Sequence, residues 1–216
     1  MIFLITFHDF ILVEQNMEHP WIIVNQQHTI KYDGHQIEDA PTSNIRRKGK
    51  GTLIRAAQPI SKYSCQHYFE FTVVKEGENN EFLIGMLKQE KQFEVDGIAG
   101  WYDDAIGIHK TNEFGYSFQF DKTKLDSTMK MKLKLNDTIG CLFKRTVKKA
   151  KTKLTCHFVQ NGIMLKKPAF TLDEGIYFPI IGINSPGAII IPNVGERKFK
   201  FDLEGMFKLH LSKYHK

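Results

Sequence analysis

The sequence of 216 residues predicts an all-β fold, an antiparallel sandwich or barrel. Three observations support this prediction. Short apolar or alternating runs recur along the chain, turn-forming residues separate them, and the periodicity of an amphipathic helix is almost absent. Hydrophobic residues make up 42% of the chain and charged residues 25%, so a chain of this length can bury a core without metal ions or disulfides.

The predicted strands follow one another at short intervals. Residues 67–74 (HYFEFTVV) show the pattern best, because they are rich in aromatic and β-branched residues, as a half-buried strand should be. The expected strands lie, in chain order, at residues 29–32, 53–57, 67–74, 82–87, 105–109, 116–120, 138–143, 154–159, 177–183 and 188–191.

Turn signals separate these strands. Residues 76–80 (EGENN) predict a hairpin turn, with residues 82–87 as the returning strand. Residues 203–214 have apolar positions that could form a short amphipathic helix. The other turn-forming sequences are Asp33-Gly34, Asn161-Gly162 and Ser185-Pro186-Gly187.

The cysteines point to a reducing compartment. Cys65, Cys141 and Cys156 are an odd number and contain no Cys-x-x-Cys pair, which argues against a secreted disulfide framework and against a zinc site. Each lies in an apolar, strand-like stretch, so we expect a small buried thiol at each position. The expected location is the cytoplasm, with the nucleus also open.

The N-terminal stretch, residues 1–13, is mostly apolar, but His8 and Asp9 interrupt it and no basic residue precedes it. This pattern favours an edge strand or a tail over a secretion signal. No stretch approaches the length of a membrane-spanning helix, so we expect no membrane association. We expect an N-terminal segment at 1–27, a sandwich domain at 28–205, and a C-terminal tail or short helix at 206–216.

Six segments, in the same order, resemble the SPRY family. They are His67-Tyr68-Phe69-Glu70, Phe82-Leu83-Ile84-Gly85, Gly100-Trp101 with the strand 105–109, Asn136-Asp137-Thr138-Ile139-Gly140-Cys141, His157 to Gly162, and Tyr177 to Gly182 with the closing block Ser185 to Asp202. The resemblance implies a bent two-sheet antiparallel β-sandwich of the concanavalin-like type, used as a protein-interaction module. Such modules often belong to substrate adaptors of ubiquitin ligases and to Ran-binding-type scaffolds.

The resemblance also implies a binding surface made by loops at one end of the sandwich. By position, the matching loops are residues 42–48, 88–96 and 184–187. Aromatic residues and arginines are common in binding hot spots, and arginine can pair with a carboxylate through two hydrogen bonds. The candidate partner-binding residues are Arg46, Arg47, Phe93, Tyr102, Asn184 and Pro186.

We expect no enzymatic activity, no cofactor and no metal site. Asp103, Asp104 and His109 could suggest acid–base or metal chemistry, but adjacent residues of an extended chain point to opposite sides. Cys65 lies near His67, yet no orienting third group completes a nucleophile triad. The partner that the SPRY resemblance implies is a protein or peptide.

Two alternatives remain open. Residues 122–153 contain eleven Lys or Arg and two Asp, a net charge of +9, while the rest of the chain carries −3. This basic segment could bind nucleic acid or an acidic surface, although it lacks base-reading motifs, so only weak attraction to nucleic acid is expected. Related sandwiches include lectins, so carbohydrate binding rests on fold analogy alone.

The basic segment also departs from the family pattern. A Lys-rich stretch, residues 144–153, is longer than the corresponding connection in the SPRY family. We expect it to be a solvated, mobile loop because its like charges repel one another. Lys132 to Leu135 alternate charged and apolar residues, which predicts a strand with one wet face.

Overall fold

A computed structural model describes residues 21–25, 29–40, 51–89, 105–111, 115–119, 133–148, 151–165, 170–172 and 174–206. Strands dominate these residues and form two antiparallel sheets, which confirms the predicted all-β sandwich. One helical turn is present at 203–206. Within the described ranges, no helix has both the length and the apolar character needed to cross a bilayer.

Fourteen strands are described, and they divide between the two sheets. In chain order they are β1 Trp21–Asn25, β2 Thr29–Tyr32, β3 Ile37–Ala40, β4 Thr52–Ala56, β5 Gln66–Lys75, β6 Phe82–Lys88, β7 Ala105–Thr111, β8 Gly115–Gln119, β9 Thr138–Lys148, β10 Lys151–Gln160, β11 Ile163–Met164, β12 Phe170–Leu172, β13 Tyr177–Ile183 and β14 Ile189–Asn193. Sheet A has the order β1-β4-β13-β6-β7-β8. Sheet B has the order β11-β10-β9-β5-β14-β3-β2, and β12 also pairs with β10.

The core lies between the inner faces of the two sheets. Alternate residues of β5 point inward, so Phe69, Phe71 and Val73 are fully buried while Tyr68 and Glu70 face the other side of sheet B. Phe69, Phe71 and Phe158 are among the largest fully buried side chains of this core. Phe178 of β13 does not belong to this core. Its neighbour Tyr177 faces the core, so Phe178 lies on the outer side of sheet A, under the guanidinium of Arg55 at 4.3 Å.

Two of the three cysteines are buried in this core. Cys141 and Cys156 lie on the neighbouring strands β9 and β10 with their Sγ atoms 3.1 Å apart, and burial raises the pKa of Cys141 well above its ordinary value. The prediction was wrong for Cys65, which is exposed. It lies in the turn before β5 and not within the strand, so the inward alternation of β5 does not apply to it.

Two of the predicted tight turns have the expected backbone. Asn161 and Gly162 have φ angles of 51° and 80° and join β10 to β11, which confirms the predicted hairpin turn. Asn161 donates from its side chain to Asp137 Oδ1 at 2.7 Å and accepts from the Thr138 amide at 2.9 Å. The turn before β9 is thereby tied to the turn after β10. At the other end of sheet B, Gly34 has φ 91° in the β2–β3 turn.

The predicted hairpin at residues 76–80 was wrong. β5 belongs to sheet B and β6 to sheet A, so the connection crosses between the sheets and the two strands do not pair. Gly77 and Asn80 have positive φ angles, which turn the chain sharply enough for this crossing. A hairpin and a crossing need the same turn residues, and only the long-range pairing distinguishes them.

The predicted mobile loop at residues 144–153 was also wrong. β9 continues to Lys148 and β10 starts at Lys151, with cross-strand partners along the entire length. Backbone pairing therefore extends through the like-charged stretch, where Lys153 is exposed. The predicted strand at 132–135 is absent from its described part. Leu133 is buried, but Leu135 and Asn136 form a turn, and Leu135 is 53% exposed.

Sheet A begins with a strand that lies inside the predicted N-terminal segment. β1 pairs with β4 at the edge of the sheet, and Trp21 is 3% exposed and packs near Phe69. Residues 1–20 and 207–216 lie outside the described residues. The proposed division of the chain at 27/28 and 205/206 remains a prediction.

Gly140→Ala should destabilise the domain by about 1–3 kcal/mol, the usual cost of overpacking a well-packed site. A Cβ at Gly140 would collide with the Tyr68 ring, whose hydroxyl donates to Glu70 at 2.8 Å. Urea unfolding measures the loss. Adding Tyr68→Phe, which removes the colliding hydroxyl, should recover part of it. If the two substitutions are additive, this collision is not the cause.

Stability should fall as the pH drops from about 6.5 towards 4. Burial lowers the pKa of His67 from 6.5 to about 4, and its Nε2 atom has no hydrogen-bond partner among the described residues. The unfolded chain takes up a proton in this range and the folded chain does not, so acid favours unfolding by about 2 kcal/mol between pH 7 and 5. Urea unfolding at the two pH values should show a smaller loss in His67→Gln. The matched control His35→Gln, at an exposed position, should keep the full loss, and equal losses in both variants would contradict the assignment.

Candidate partner-binding surface at one end of the sandwich

Two connections cross between the sheets at the same end of the molecule. Residues 184–188 join β13 of sheet A to β14 of sheet B, and residues 76–81 join β5 to β6 in the opposite direction. The backbone amide of Asn184 donates to the Glu81 carbonyl at 3.0 Å, which brings the two connections into contact. We call this region the loop end.

Ser185 is the centre of the loop end. It is fully buried, and its amide donates to Asp39 Oδ2 at 3.0 Å. Its hydroxyl donates to the Glu76 carbonyl at 2.5 Å and accepts from the Asn80 amide at 2.8 Å. The amide of this one residue therefore joins the loop that follows β13 to β3, and its hydroxyl joins the loop to the 76–81 connection.

Pro186 and Gly187 form the turn that follows. The Pro186 carbonyl accepts from the Glu78 amide at 2.9 Å, and the Gly187 amide donates to the Asp39 carbonyl at 2.5 Å. Gly187 has φ 81°, a conformation that L side chains rarely adopt, and its Cα faces open space. Pro186 is partly exposed. The loop presents a proline ring on a backbone held by hydrogen bonds.

Asn184 is held inside the loop end. It is 8% exposed, and its side-chain amide donates to Glu81 Oε2 at 2.5 Å. Burial raises the pKa of Glu81, and the hydrogen bond from Asn184 acts in the opposite direction. The pair stabilises the contact between the two connections.

The described part of the loop end is rich in carboxylates. Glu76, Glu78 and Glu81 lie on one connection, and Asp39 is buried beneath the other. Lys75 ends β5 beside them. This end of the domain therefore favours cationic groups on a molecule that approaches it.

The structure describes two of the six predicted partner-binding residues. Asn184 and Pro186 lie together at the loop end, and their contact with a partner remains a prediction. Arg46, Arg47, Phe93 and Tyr102 lie outside the described residues, as do loop residues 42–48 and 90–96. The Ser-Pro-Gly sequence signalled the turn, whereas no local signal identified Asp39, which lies 146 residues before Ser185.

No metal site is found in the described part of the chain. None of its His, Cys, Asp and Glu residues form a group of three that could hold an ion. Asp103 and Asp104 lie outside the described residues. The expectation of a non-enzymatic protein remains a prediction.

No family model matches this chain. Curated relatives do match. It is 29% identical over 149 residues to the Ran-binding proteins 9/10 homolog of Drosophila melanogaster, covering 69% of this chain and 14% of the relative. It is 27% identical over 162 residues to Ran-binding protein 10 of Danio rerio, covering 75% and 25%. It is also 27% identical over 151 residues to human Ran-binding protein 9, covering 70% and 19%. The chain thus spans a quarter or less of the length of these relatives.

Solved structures share the fold. The crystal structure of a human SPRY domain has a TM-score of 0.59 at 20% identity, covering 78% of this chain and 97% of that domain. The chain has the fold of a SPRY domain. The SPRY domain of human HERC1 has a TM-score of 0.52 at 17% identity, covering 77% and 92%. The predicted resemblance to the SPRY family is confirmed at the level of the fold.

Ser185→Ala should destabilise the domain by about 1–3 kcal/mol, because it removes the partner of the Asn80 amide and of the Glu76 carbonyl in a buried place. Urea unfolding measures the change. The matched control Ser61→Ala lies on an exposed turn and should stay within about 0.5 kcal/mol of the wild type. Equal stabilities of the two variants would mean that Ser185 does not organise the loop end.

Proposed function

We propose that this chain is a non-catalytic adaptor or scaffold whose SPRY domain recruits a protein or peptide partner through the loop end. The single observation that carries the proposal is the fixed 184–187 loop, held by hydrogen bonds from β3 and from the 76–81 connection. A loop that is ordered before binding loses little conformational entropy when a partner arrives. This pre-organisation favours recognition at Pro186.

The chemistry of the loop end supports a mixed apolar and polar contact. Pro186 offers an apolar surface, and the carboxylates of Glu76 and Glu78 favour cationic groups on the partner. We propose that Phe93 and Tyr102 add aromatic contacts and that Arg46 and Arg47 pair with partner carboxylates. Asn184 has little exposed surface, so its contact with a partner would be small.

The finer context of this recruitment follows from the SPRY resemblance. We propose that the chain acts in the cytoplasm or nucleus, in ubiquitin-ligase substrate recruitment or in a Ran-binding-type scaffold. The support is the similarity to proteins named Ran-binding protein 9 and 10. The match covers a quarter or less of those relatives, so the proposal does not extend to the functions of their other regions.

Arg46→Ala, Phe93→Ala and Pro186→Ala should each weaken capture of the partner by about 1–2 kcal/mol, the range of a binding hot spot, without unfolding the domain. Partners captured from lysate by the wild-type chain are identified by mass spectrometry and then titrated against each variant. Tyr63→Ala is the control, because Tyr63 is 83% exposed and precedes β5 at the opposite end. If all three variants bind at wild-type strength, the partner does not bind at the loop end.

A further inference from the structure

The hairpin of β9 and β10 extends beyond its neighbours in sheet B. β5 pairs with β9 as far as Gln66, opposite Lys144, and β12 pairs with β10 as far as Leu172, opposite Leu154. Past these positions, no third strand in the described part of the chain pairs with the hairpin. We call residues 144–148 and 151–157, which are this extension together with the paired residues next to it, the basic arm.

The register collects the lysines of the basic arm on one face. Lys148 lies opposite Lys151, Thr146 opposite Lys153, and Lys144 opposite Thr155. Opposite residues share a face of an antiparallel pair, as do alternate residues along each strand, so all four lysine positions belong to the outer side of sheet B. Like charges directly opposite each other destabilise a strand pair. The stretch from 144 to 157 contains no acidic residue to offset them.

Lys144 and His157 extend this positive face towards the sheet. Burial lowers the pKa of Lys144, and burial together with the charge of Lys144 lowers the pKa of His157. Neither side chain has an acidic partner among the described residues. An anion on this face would therefore relieve an unfavourable concentration of positive charge.

The backbone of the arm adds a second feature, an open strand edge. The Arg145 amide donates to the Cys65 carbonyl, so odd-numbered residues of β9 direct their backbone groups towards the β5 side. The amide and carbonyl of Val147 therefore face that side, where no described strand pairs with them. The Val147 side chain is 69% exposed and belongs to the face opposite the lysines.

We propose that the basic arm docks an extended acidic segment of a protein partner, in which acidic residues alternate with apolar ones. In a strand, alternate side chains are about 7 Å apart on the same face. Carboxylates spaced in this way lie on the lysine face, where positions 151 and 153 have the same spacing, and the apolar residues lie on the side of Val147. The segment's own backbone supplies hydrogen bonds to Val147, as in strand addition to a sheet edge.

A peptide fits these features better than a nucleic acid does. The arm residues 144–148 and 151–157 include no Phe, Tyr or Trp, so the arm lacks the large stacking platforms of single-strand binding proteins. A phosphate backbone also cannot pair with both the amide and the carbonyl of an edge residue. The arm lies at the Gln66 end of β5 and the loop end at the Lys75 end, so this site is separate from the proposed loop-end site.

The test is fluorescence anisotropy with the full chain and a labelled peptide of alternating Glu and Val, at an ionic strength of about 0.15 M. We expect saturable binding that weakens as salt rises. Lys148→Glu combined with Lys151→Glu should weaken binding about tenfold. Lys75→Glu combined with Lys134→Glu, which makes the same charge change at exposed lysines outside the arm, should leave the affinity unchanged. If the circular-dichroism spectrum of the double Glu variant shows a loss of strand, the double variant Lys148→Gln with Lys151→Gln is used in its place.

The open edge is tested separately from the charge. Val147→Pro removes the edge amide and keeps every lysine, and it should weaken binding, whereas Val147→Ala should bind more tightly than Val147→Pro. Methylation of alternate peptide nitrogens, on the set that faces the arm, should also weaken binding. The methylated peptides are measured against the wild-type chain. They therefore test backbone pairing at the edge even if Val147→Pro disturbs the hairpin.

Three results would overturn the proposal. If the peptide methylated on the nitrogens that face the arm and the peptide methylated on the other set bind equally well, the attraction does not involve strand addition. An oligothymidylate competing more strongly than the peptide would make the arm a nucleic-acid site. If sedimentation shows that the chain self-associates and that the double charge reversal abolishes this association, the occupant of the basic arm is a second copy of this chain.

Discussion

A buried carboxylate, that of Asp39, is the constraint on which the loop end depends. A carboxylate removed from water is costly unless hydrogen-bond donors surround it, and Asp39 is fully buried. Its Oδ2 accepts from the Ser185 amide, while its backbone accepts from Gly187 and donates to Ala188. Because Asp39 belongs to β3 of sheet B and Ser185 follows β13 of sheet A, the same contacts join the two sheets. The shape of the 184–187 loop follows from satisfying this carboxylate.

The sequence alone predicted the strands whose own residue pattern is typical of a strand. The aromatic and β-branched runs of β5 and β13 predicted strands near their observed positions, since alternation needs no knowledge of the partner strand. β3 was missed because Ile37–Ala40 contains two acidic residues, one of which, Asp39, is buried and hydrogen-bonded by residues of the 184–188 connection. The two short strands β11 and β12 have too few residues to show any period.

Long-range pairing explains the remaining differences from prediction. The crossing at residues 76–81 has the composition of a hairpin turn, and only the assignment of β5 and β6 to different sheets distinguishes the two. At the candidate site, Pro186 and Asn184 were identified from a resemblance and a local turn signal. Their support from Asp39 and Glu76 comes from residues more than 100 positions away, which no local pattern can predict.

The basic arm shows how charge and backbone pairing compete. Its lysines repel one another, and charge alone predicts an extended loop. The ladder between β9 and β10 nevertheless continues to Lys148 and Lys151, because the buried part of the hairpin, from Leu142 to Phe158, already fixes the register. Each further pair then extends an existing ladder and needs no new nucleus. The result is a fixed register of lysine positions along the strand pair, which an unpaired loop would not have.

The two ends of the domain therefore differ in charge while sharing one strand. β5 has ten residues, about 30 Å of extended chain, with the carboxylates of the loop end after Lys75 and the basic arm beside Gln66. A strand paired on both sides cannot bend to bring its ends together, so the two surfaces keep a fixed separation. A partner that reaches both must carry its acidic segment at a matching distance from the part that contacts Pro186. When that geometry is met, the second contact forms within one complex, and its high effective concentration strengthens two individually weak contacts.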